Sequence, residues 1–282
     1  MRTVKKVHKA LQHKIANLLT YTPLPNPSLS DLNPFLLLNH HGHQFYEPFN
    51  KGLPFGPHPH RGMETVTFVF DGDIMHRDSN GNESVIYPGG VQFMSAGRGI
   101  IHAEQSSEAF KQEGGDLEIV QLWLNMRAKD KMSAPFYTNF QANELPSYQE
   151  NGTEIKVLSG DWKGTKGAFE TNMGVHLYTM YLLENSRLVT RVSNERTILF
   201  YVLKGEVKVN GTTAKKMNLI EFNNDLEEVL IEAKTNSIVI FGHSQALKEP
   251  LVSQGPFVMN SEAEIEQAYE DYRNGVFGEW NF

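Results

Sequence analysis

Residues 56–64 read GPHPHRGME, a short extended stretch with one histidine on each side of a proline. Side chains alternate between the two faces of a strand, so His58 and His60 project from the same face and could bind one metal ion. Pro59 fixes its own φ and lacks a backbone donor, which places the stretch at the edge or entry of a sheet. A His-x-His pair alone is a weak signal, because such histidines also occur as hydrogen-bonded structural residues.

A second segment further along the chain repeats this arrangement. Residues 97–104 read GRGIIHAE, in which His102 and Glu104 are again two positions apart and share one face of a strand. If both segments line the interior of one barrel, three neutral imidazoles and one carboxylate converge. Such a set can hold a divalent transition metal and leave positions open for water or substrate. The two segments together predict a metal site formed by His58, His60, His102 and Glu104.

The remainder of the chain reads as short strands separated by tight-turn residues. Residues 64–76 (ETVTFVFDGDIMH) and residues 197–209 (TILFYVLKGEVKV) each read as a strand, a turn and a second strand. Asp-Gly and Asn-Gly dipeptides between such runs favour hairpins, because their turns need positive φ. The pattern predicts an all-β chain with two similar barrels in tandem. The segment 128–152, with two prolines and little periodicity, is the predicted linker.

One helix is marked near the C-terminus. The residues Ser261-Glu262-Ala263-Glu264 match a capping box, in which the hydroxyl and the second carboxylate bond to free backbone N–H groups of the first turn. Apolar residues follow at helical spacing, and Gly275 ends the pattern. The sequence therefore predicts a helix over about 261–275 that packs across a barrel.

Composition excludes several classes of protein. The 282 residues include 33 acidic and 26 basic side chains and no cysteine. Disulfides, thiolate nucleophiles and cysteine ligands are therefore absent, and nothing suggests the basic surface that direct nucleic-acid binding needs. The longest apolar runs, such as residues 35–38, are too short to span a bilayer. The N-terminus does not resemble a signal peptide, so we expect a cytoplasmic protein without membrane association.

The two metal motifs carry a resemblance to a known family. The string HPHRGMETV at residues 58–66, followed by PGGVQFMSAGRGIIHAE at residues 88–104, closely resembles the pirin branch of the cupin superfamily. The stretches NPFLLL at 33–38 and GPFVMNSEAEI at 255–265 are also similar to pirins. The resemblance therefore extends over nearly the whole chain.

This resemblance implies two jelly-roll-like cupin barrels. Residues 1–135 would form the metal-binding barrel, and residues 136–282 would form a metal-free barrel with the C-terminal helix at its end. The histidines of the second half, His176 and His243, stand alone in the sequence. We therefore expect no metal in that half.

The resemblance also implies the ligands and the metal. The family's ligands fall on His58, His60, His102 and Glu104, and the metal is usually iron. Manganese, cobalt, nickel, copper and zinc also suit this ligand set. Glu64 stands where many other cupins have a carboxylate ligand, but in pirins that role passes to the position of Glu104. We expect Glu64 to support the site or the fold instead.

Other residues near the motifs are open to two interpretations. Arg98 could orient an anionic group or simply hold a loop. Gln121 and Trp123 share one face of a predicted strand and could line a cavity, although core packing is the default for the tryptophan. The three histidines of the stretch 39–43 (NHHGH) invite a metal interpretation, but we expect a surface loop with no matching carboxylate.

The resemblance finally implies an activity. Pirin relatives act as quercetin 2,3-dioxygenases, which open the flavonol ring with O₂ and release carbon monoxide. We expect a flavonol-like small molecule and O₂ as substrates, with Glu104 as the catalytic group that takes the proton of the substrate hydroxyl. The alternative is a non-enzymatic, metal-binding pirin that acts as a redox-sensitive protein-interaction partner or transcription co-regulator. The sequence does not locate a surface for such a protein partner.

Overall fold

The chain folds almost entirely into β-strands. The computed structural model describes residues 1–30 and 32–282, and in these ranges two α-helices and one 3-10 turn interrupt the strands. The helices are α1 (Glu108–Glu113) and α2 (Glu262–Arg273), and the 3-10 turn is Ala128–Asp130. The strands are, in chain order, β1 (Val4–Lys9), β2 (Leu11–Ile15), β3 (Leu18–Leu24), β4 (Phe35–Tyr46), β5 (Phe55–His60), β6 (Met63–Asp71), β7 (Ile74–Asp78), β8 (Glu83–Ile86), β9 (Val91–Ser95), β10 (Ile100–Gln105), β11 (Gly115–Asn125), β12 (Phe136–Phe140), β13 (Ser147–Glu150), β14 (Thr153–Ser159), β15 (Asp161–Trp162), β16 (Thr165–Lys166), β17 (His176–Leu182), β18 (Arg187–Arg191), β19 (Arg196–Lys204), β20 (Glu206–Val209), β21 (Thr212–Lys215), β22 (Asn218–Phe222), β23 (Glu228–Ala233), β24 (Ser237–Gln245), β25 (Val252–Gln254) and β26 (Phe257–Met259).

Backbone contacts divide the chain into two compact units that are not continuous in sequence. The unit that we call the first barrel consists of residues 12–21, 37–143 and 247–282. The unit that we call the second barrel consists of residues 1–11, 22–36 and 144–246. Each terminal segment thus packs with the unit that the other half of the chain builds. The domain boundary between residues 135 and 136 stays a prediction.

The first barrel is built from two main sheets. A seven-stranded sheet has the order β12-β9-β6-β11-β4-β3-β2, and a four-stranded sheet has the order β5-β10-β7-β8. A cluster of buried apolar side chains, among them Val69, Ile74 and Ile119, fills one part of the interior. Both histidine-bearing segments, β5 and β10, lie side by side in the four-stranded sheet.

The second barrel repeats this design. Its seven-stranded sheet has the order β1-β22-β19-β24-β17-β14-β13, and its four-stranded sheet has the order β18-β23-β20-β21. Its core is a larger apolar cluster that includes Tyr178, Phe200 and Phe241. The prediction of an all-β fold with two cupin barrels is confirmed.

The predicted hairpins form at the Asn-Gly turns, where β7 pairs with β8 and β20 pairs with β21, but two other tight turns act differently. The turn at Gly72 separates β6 from β7, yet these two strands belong to different sheets. The turn at Gly205 does the same between β19 and β20. Both glycines have positive φ, 76° and 82°, so the local turn chemistry is as expected. The hairpin prediction was wrong at these two turns, because each carries the chain from one sheet to the other.

The segment predicted as a linker contains two strands. β12 pairs with β9 of the first barrel, and β13 pairs with β14 of the second. Pro135 and Pro146 each stand immediately before one of these strands. The chain passes from the first barrel to the second between residues 143 and 144, within the predicted linker. The two strands in it were not evident from the sequence, because a proline at the start of a strand costs no ladder hydrogen bond.

The C-terminal helix α2 packs on the first barrel. The Ser261 hydroxyl caps it by accepting from the backbone N–H of Glu264, and the Glu264 carboxylate accepts from the N–H of Asn260. Ile265 and Ala268 are buried in a cluster with Phe257 and neighbouring apolar residues. The predicted helix and its packing role are confirmed. Among the described residues, no helix combines the length and the apolar character needed to cross a membrane.

Candidate metal centre

Three of the four predicted ligands meet in the first barrel. β5 and β10 are antiparallel neighbours, and their register pairs His58 with His102. The metal-binding nitrogens of His58, His60 and His102 all lie within 4.8 Å of one another. The alternation of side chains along the two strands therefore produces the cluster of imidazoles that the sequence predicts.

Burial keeps two of these imidazoles, those of His60 and His102, uncharged, and His58 is half-buried. His102 is fully buried and His60 is 3% exposed. Burial, with His58 close by, lowers the pKa of His60 to about 3, and burial among neighbouring histidines lowers the pKa of His102 well below its usual value. Neutral imidazoles are the form that binds a metal cation. The buried trio could therefore hold a metal ion.

The ring nitrogens of the trio also fit a metal. Both nitrogens of His102 are buried without a hydrogen-bond partner, which costs free energy unless another group bonds to them. Nδ1 of His58 donates to the carbonyl of Gly56 at 2.8 Å, and Nδ1 of His60 donates to the carbonyl of Pro256 at 3.2 Å. Since a carbonyl only accepts, these bonds leave the Nε2 lone pairs of both rings available.

Glu104 lies beside the trio but does not belong to the group of mutually close ligand atoms. Its buried carboxylate accepts hydrogen bonds from three neutral side chains. Oε1 accepts from the Thr67 hydroxyl at 3.0 Å and from the amide of Gln92, and Oε2 accepts from the amide of Gln121 at 2.6 Å. The structure therefore places the predicted fourth ligand in a polar cradle formed by Thr67, Gln92 and Gln121.

Two aromatic side chains orient the amides of this cradle. The indole N–H of Trp123 donates to Oε1 of Gln121 at 3.0 Å, so the NH₂ of that amide faces Glu104. The Tyr137 hydroxyl donates to Oε1 of Gln92 at 3.3 Å and acts in the same way. Trp123 also lies with its ring 5.2 Å from the ring of His60. Core packing, the default interpretation for this tryptophan, was wrong.

A pocket of about 220 Å³ opens beside the trio. Its walls include His58, His60, Glu104 and Gln121, together with side chains that the sequence did not associate with the site. Trp123 also lines the pocket, as its second interpretation allowed, and the additional residues are Asn39, His41, Phe55, Gly255 and Pro256. The pocket joins the candidate ligands to a cavity that a small molecule could enter.

The histidine-rich stretch 39–43 forms part of β4 and is not a surface loop. His40 is buried and its Nε2 lies 3.0 Å from a carboxylate oxygen of Glu118. His41 is buried on the pocket side and bonds to the Thr20 hydroxyl at 2.9 Å. The loop prediction was wrong because His40 and His41, on opposite faces of the strand, are both buried. The expectation of no matching carboxylate was also wrong, because Glu118, which is far away in sequence, contacts His40.

The remaining residues near the motifs have supporting positions. Glu64 is buried in β6 and belongs neither to the histidine trio nor to the pocket wall. Arg98 is exposed, and its carbonyl accepts a hydrogen bond from Nε of Arg61 at 2.6 Å. For Arg98 the loop-holding interpretation is therefore favoured.

In the second barrel, the two single histidines lie together. The rings of His176 and His243 stack with centroids 4.6 Å apart. Nε of Arg196 donates to Nδ1 of His243 at 2.7 Å, and burial with this guanidinium lowers the pKa of His243 to about 2. The positive charge of Arg196, bonded to His243, disfavours a metal ion at this pair of imidazoles. A metal-free second barrel stays a prediction.

Comparison with known proteins gives the family. The Pirin family model matches residues 14–124, and the model for the Pirin C-terminal cupin domain matches residues 177–278. A protein named "Putative quercetin 2,3-dioxygenase PA2418" from Pseudomonas aeruginosa is 34% identical, over 87% of each chain. A "Pirin-like protein" from Caulobacter vibrioides is also 34% identical, over 90% of this chain and 91% of its own.

A solved structure shares the whole fold. The crystal structure of a quercetin 2,3-dioxygenase from Acinetobacter baumannii superimposes with a TM-score of 0.91, at 31% identity and over 99% of both chains. The family models fall on both barrels, and the two motifs that resemble pirins carry the buried histidine trio. The chain therefore belongs to the pirin family.

Proposed function

We propose that this pirin is a metal-dependent dioxygenase that cleaves flavonol-type substrates with O₂ and releases carbon monoxide. The observation that carries the proposal is the cluster of three imidazoles, two of which line the wall of a small pocket. Both relatives with a quercetin dioxygenase name extend over most of this chain. A divalent metal held by the trio would lower the pKa of a substrate hydroxyl and stabilise its anion.

The proposed metal ligands are His58, His60, His102 and Glu104. An ionised carboxylate has about four acceptor positions, two on each oxygen. In Glu104, Thr67 and Gln92 occupy both positions on Oε1, whereas Gln121 alone bonds to Oε2. We infer that Oε2 is the atom that faces the metal. Iron is the metal expected first, and the ligand types also allow manganese, cobalt, nickel, copper and zinc.

Glu104 is also the proposed acceptor of the substrate proton. It is the carboxylate among the residues that line the pocket, and the imidazoles beside it serve as ligands. Among the described residues of its walls, a hydroxyl that enters the pocket would find no other anionic side chain. The hydrogen bonds from Gln92 and Gln121 hold the carboxylate in position, and Oε2 would accept the proton once it is released from the metal.

The pocket favours a flat ring at the metal. Its volume of about 220 Å³ is below the ~300–1,000 Å³ that is typical for drug-sized ligands. Phe55 and Trp123 provide aromatic walls, and Asn39 and His41 provide polar groups. We propose that the ring bearing the vicinal hydroxyl and keto groups enters, while the rest of a flavonol stays at the mouth.

A turnover assay with defined metals tests this function. Metal-free protein is loaded anaerobically with Fe²⁺, Mn²⁺, Co²⁺, Ni²⁺ or Cu²⁺ and then mixed with quercetin and O₂. We expect the flavonol absorbance to fall, with one carbon monoxide released for each flavonol consumed. Glu104→Gln should lose turnover, whereas the exposed-site control His43→Gln should retain it. Protein that binds these metals but turns over no flavonol would contradict the proposal and favour the non-enzymatic, protein-interaction alternative.

A further inference from the structure

We propose that residues 255–277, here called the C-terminal segment, are a positioning part of the metal centre, and that they act on His60 through the carbonyl of Pro256. The inference rests on the proposed function in taking His60 as a metal ligand. The segment contains β26, α2 and the turn that leads to Phe277. It belongs to the same compact unit as the histidine trio.

The C-terminal segment bonds directly to His60, the proposed metal ligand. Nδ1 of His60 lies 3.2 Å from the Pro256 carbonyl, across 196 positions of sequence. The corresponding bond of His58 is local, because Gly56 is only two residues away. A carbonyl partner fixes the ring orientation and keeps the proton on Nδ1, so Nε2 points its lone pair elsewhere. The geometry of His60 therefore depends on where the C-terminal segment lies.

Arg61, the residue after this histidine, holds the segment in place. Its side chain is 2% exposed. Nε donates to the carbonyl of Arg98, and Nη2 pairs with a carboxylate oxygen of Asp271 at 2.7 Å. The guanidinium carbon lies 4.7 Å from the ring centroid of Phe277. Removal of the Asp271 charge would leave a buried guanidinium without its acidic partner, which is strongly unfavourable.

Further hydrogen bonds hold the C-terminal segment against the residues that follow His60. The N–H of Val258 donates to the carbonyl of Arg61 at 3.0 Å. The buried ammonium of Lys131 donates to the carbonyls of both Gly62 and Val258, at 2.7 and 3.0 Å. A β-carbon at Gly62 would lie 2.1 Å from the Val258 carbonyl, so only glycine allows this close approach. Since Pro256 is two residues before Val258, any displacement of the segment moves the carbonyl that orients His60.

The segment also touches the strand that carries the third histidine. The Ser79 hydroxyl donates to the carbonyl of Phe277 at 2.7 Å and accepts from the N–H of Ile101 at 3.1 Å. A β-carbon at Gly99 would lie 2.5 Å from the Phe277 ring. The C-terminal segment thus contacts the chain next to both metal motifs.

Metal affinity tests this inference without relying on activity. The probe is Co²⁺, measured by competition with a chelator and by its visible absorption spectrum. We expect Asp271→Asn to weaken Co²⁺ binding about tenfold and Asp271→Lys to weaken it at least as much, as is typical when a partner outside the ligand set is lost. We also expect Asp271→Lys to change the Co²⁺ spectrum, because His60 would bind at an altered angle.

Matched variants separate positioning from general stability. Glu270→Gln and Glu270→Lys make the same charge changes at the exposed neighbouring position and should leave Co²⁺ affinity within roughly twofold of wild type. Phe110→Leu should lower the thermal midpoint of the first barrel and leave the spectrum unchanged. If Asp271→Lys binds Co²⁺ like wild type with the same spectrum, this inference is overturned. If wild-type protein does not bind Co²⁺ at all, the proposed metal site fails as well.

Discussion

The side-chain amide of Gln121 donates a hydrogen bond to Oε2 of Glu104 over 2.6 Å. The indole of Trp123 fixes the direction of that amide from its other end. The carboxylate of Glu104 is therefore held by side chains that are not ligands. Such outer contacts decide where a ligand atom points and contribute to the affinity for the metal.

Loss of the Gln121 amide should weaken metal binding. We expect Gln121→Leu to reduce Co²⁺ or Zn²⁺ affinity by about 10- to 100-fold, because the Glu104 carboxylate loses the donor that orients Oε2. Chelator competition at constant pH measures the effect. Gln112→Leu, at an exposed position of α1, is the control and should bind as wild type does. Equal affinity in both variants would show that Glu104 needs no support from this amide.

His41 should affect substrate binding and leave metal binding unchanged. It lines the pocket, and burial together with its histidine neighbours lowers its pKa to about 3, so it is neutral at physiological pH. We expect His41→Phe to raise KM for a flavonol by roughly threefold to tenfold, the effect of one lost hydrogen bond. His43→Phe on the same strand, where the side chain is exposed, should leave KM unchanged. A fall in metal content of His41→Phe would contradict this division of roles.

The histidine trio was predictable because strand geometry is local. Residues two positions apart share a face, so His58 could be grouped with His60, and His102 with Glu104, from the sequence alone, and the pirin-like motifs supported bringing the two pairs together. The contacts that support these residues were not predictable in this way. Thr67 and Gln92 lie on strands of the other sheet, and nothing in their own neighbourhoods indicates which carboxylate they contact.

Long-range contacts also explain the wrong predictions. We expected His40 at the surface because its partner, Glu118, is far away in the sequence. The turns at Gly72 and Gly205 have the expected positive φ, but turn chemistry does not reveal which sheet the next strand joins. The contact between the Pro256 carbonyl and His60 could not be predicted from the sequence, because every residue has a backbone carbonyl.

Lys131 should give the protein a characteristic pH dependence of stability. Burial lowers the pKa of Lys131 from 10.5 to about 8. The folded state then releases this proton at lower pH than the unfolded state, so between these two values the free energy of unfolding should rise with pH, by up to about 1.4 kcal/mol per unit. Below pH 8 both states hold the proton and the effect is flat. Urea unfolding from pH 7 to 10 should show this rise in wild type relative to Lys131→Met, and parallel profiles would contradict it.

Only the first barrel should bind the metal. We expect the double variant His176→Phe, His243→Phe to retain one metal ion per chain, because Arg196 already bonds to the ring of His243. His102→Gln should reduce the metal content to nearly zero, because it removes a buried imidazole of the trio. Elemental analysis of dialysed protein gives both stoichiometries. Loss of metal from the double variant would place a site in the second barrel.

Anomalous diffraction from zinc-loaded crystals tests the central claim most directly. We expect one strong peak per chain, about 2.0–2.1 Å from Nε2 of His58, His60 and His102 and about 2.0–2.2 Å from Oε2 of Glu104. A peak on the three imidazoles with the Glu104 carboxylate turned away would remove the fourth ligand. A peak elsewhere, or none at saturating zinc, would show that these four residues do not form the metal site.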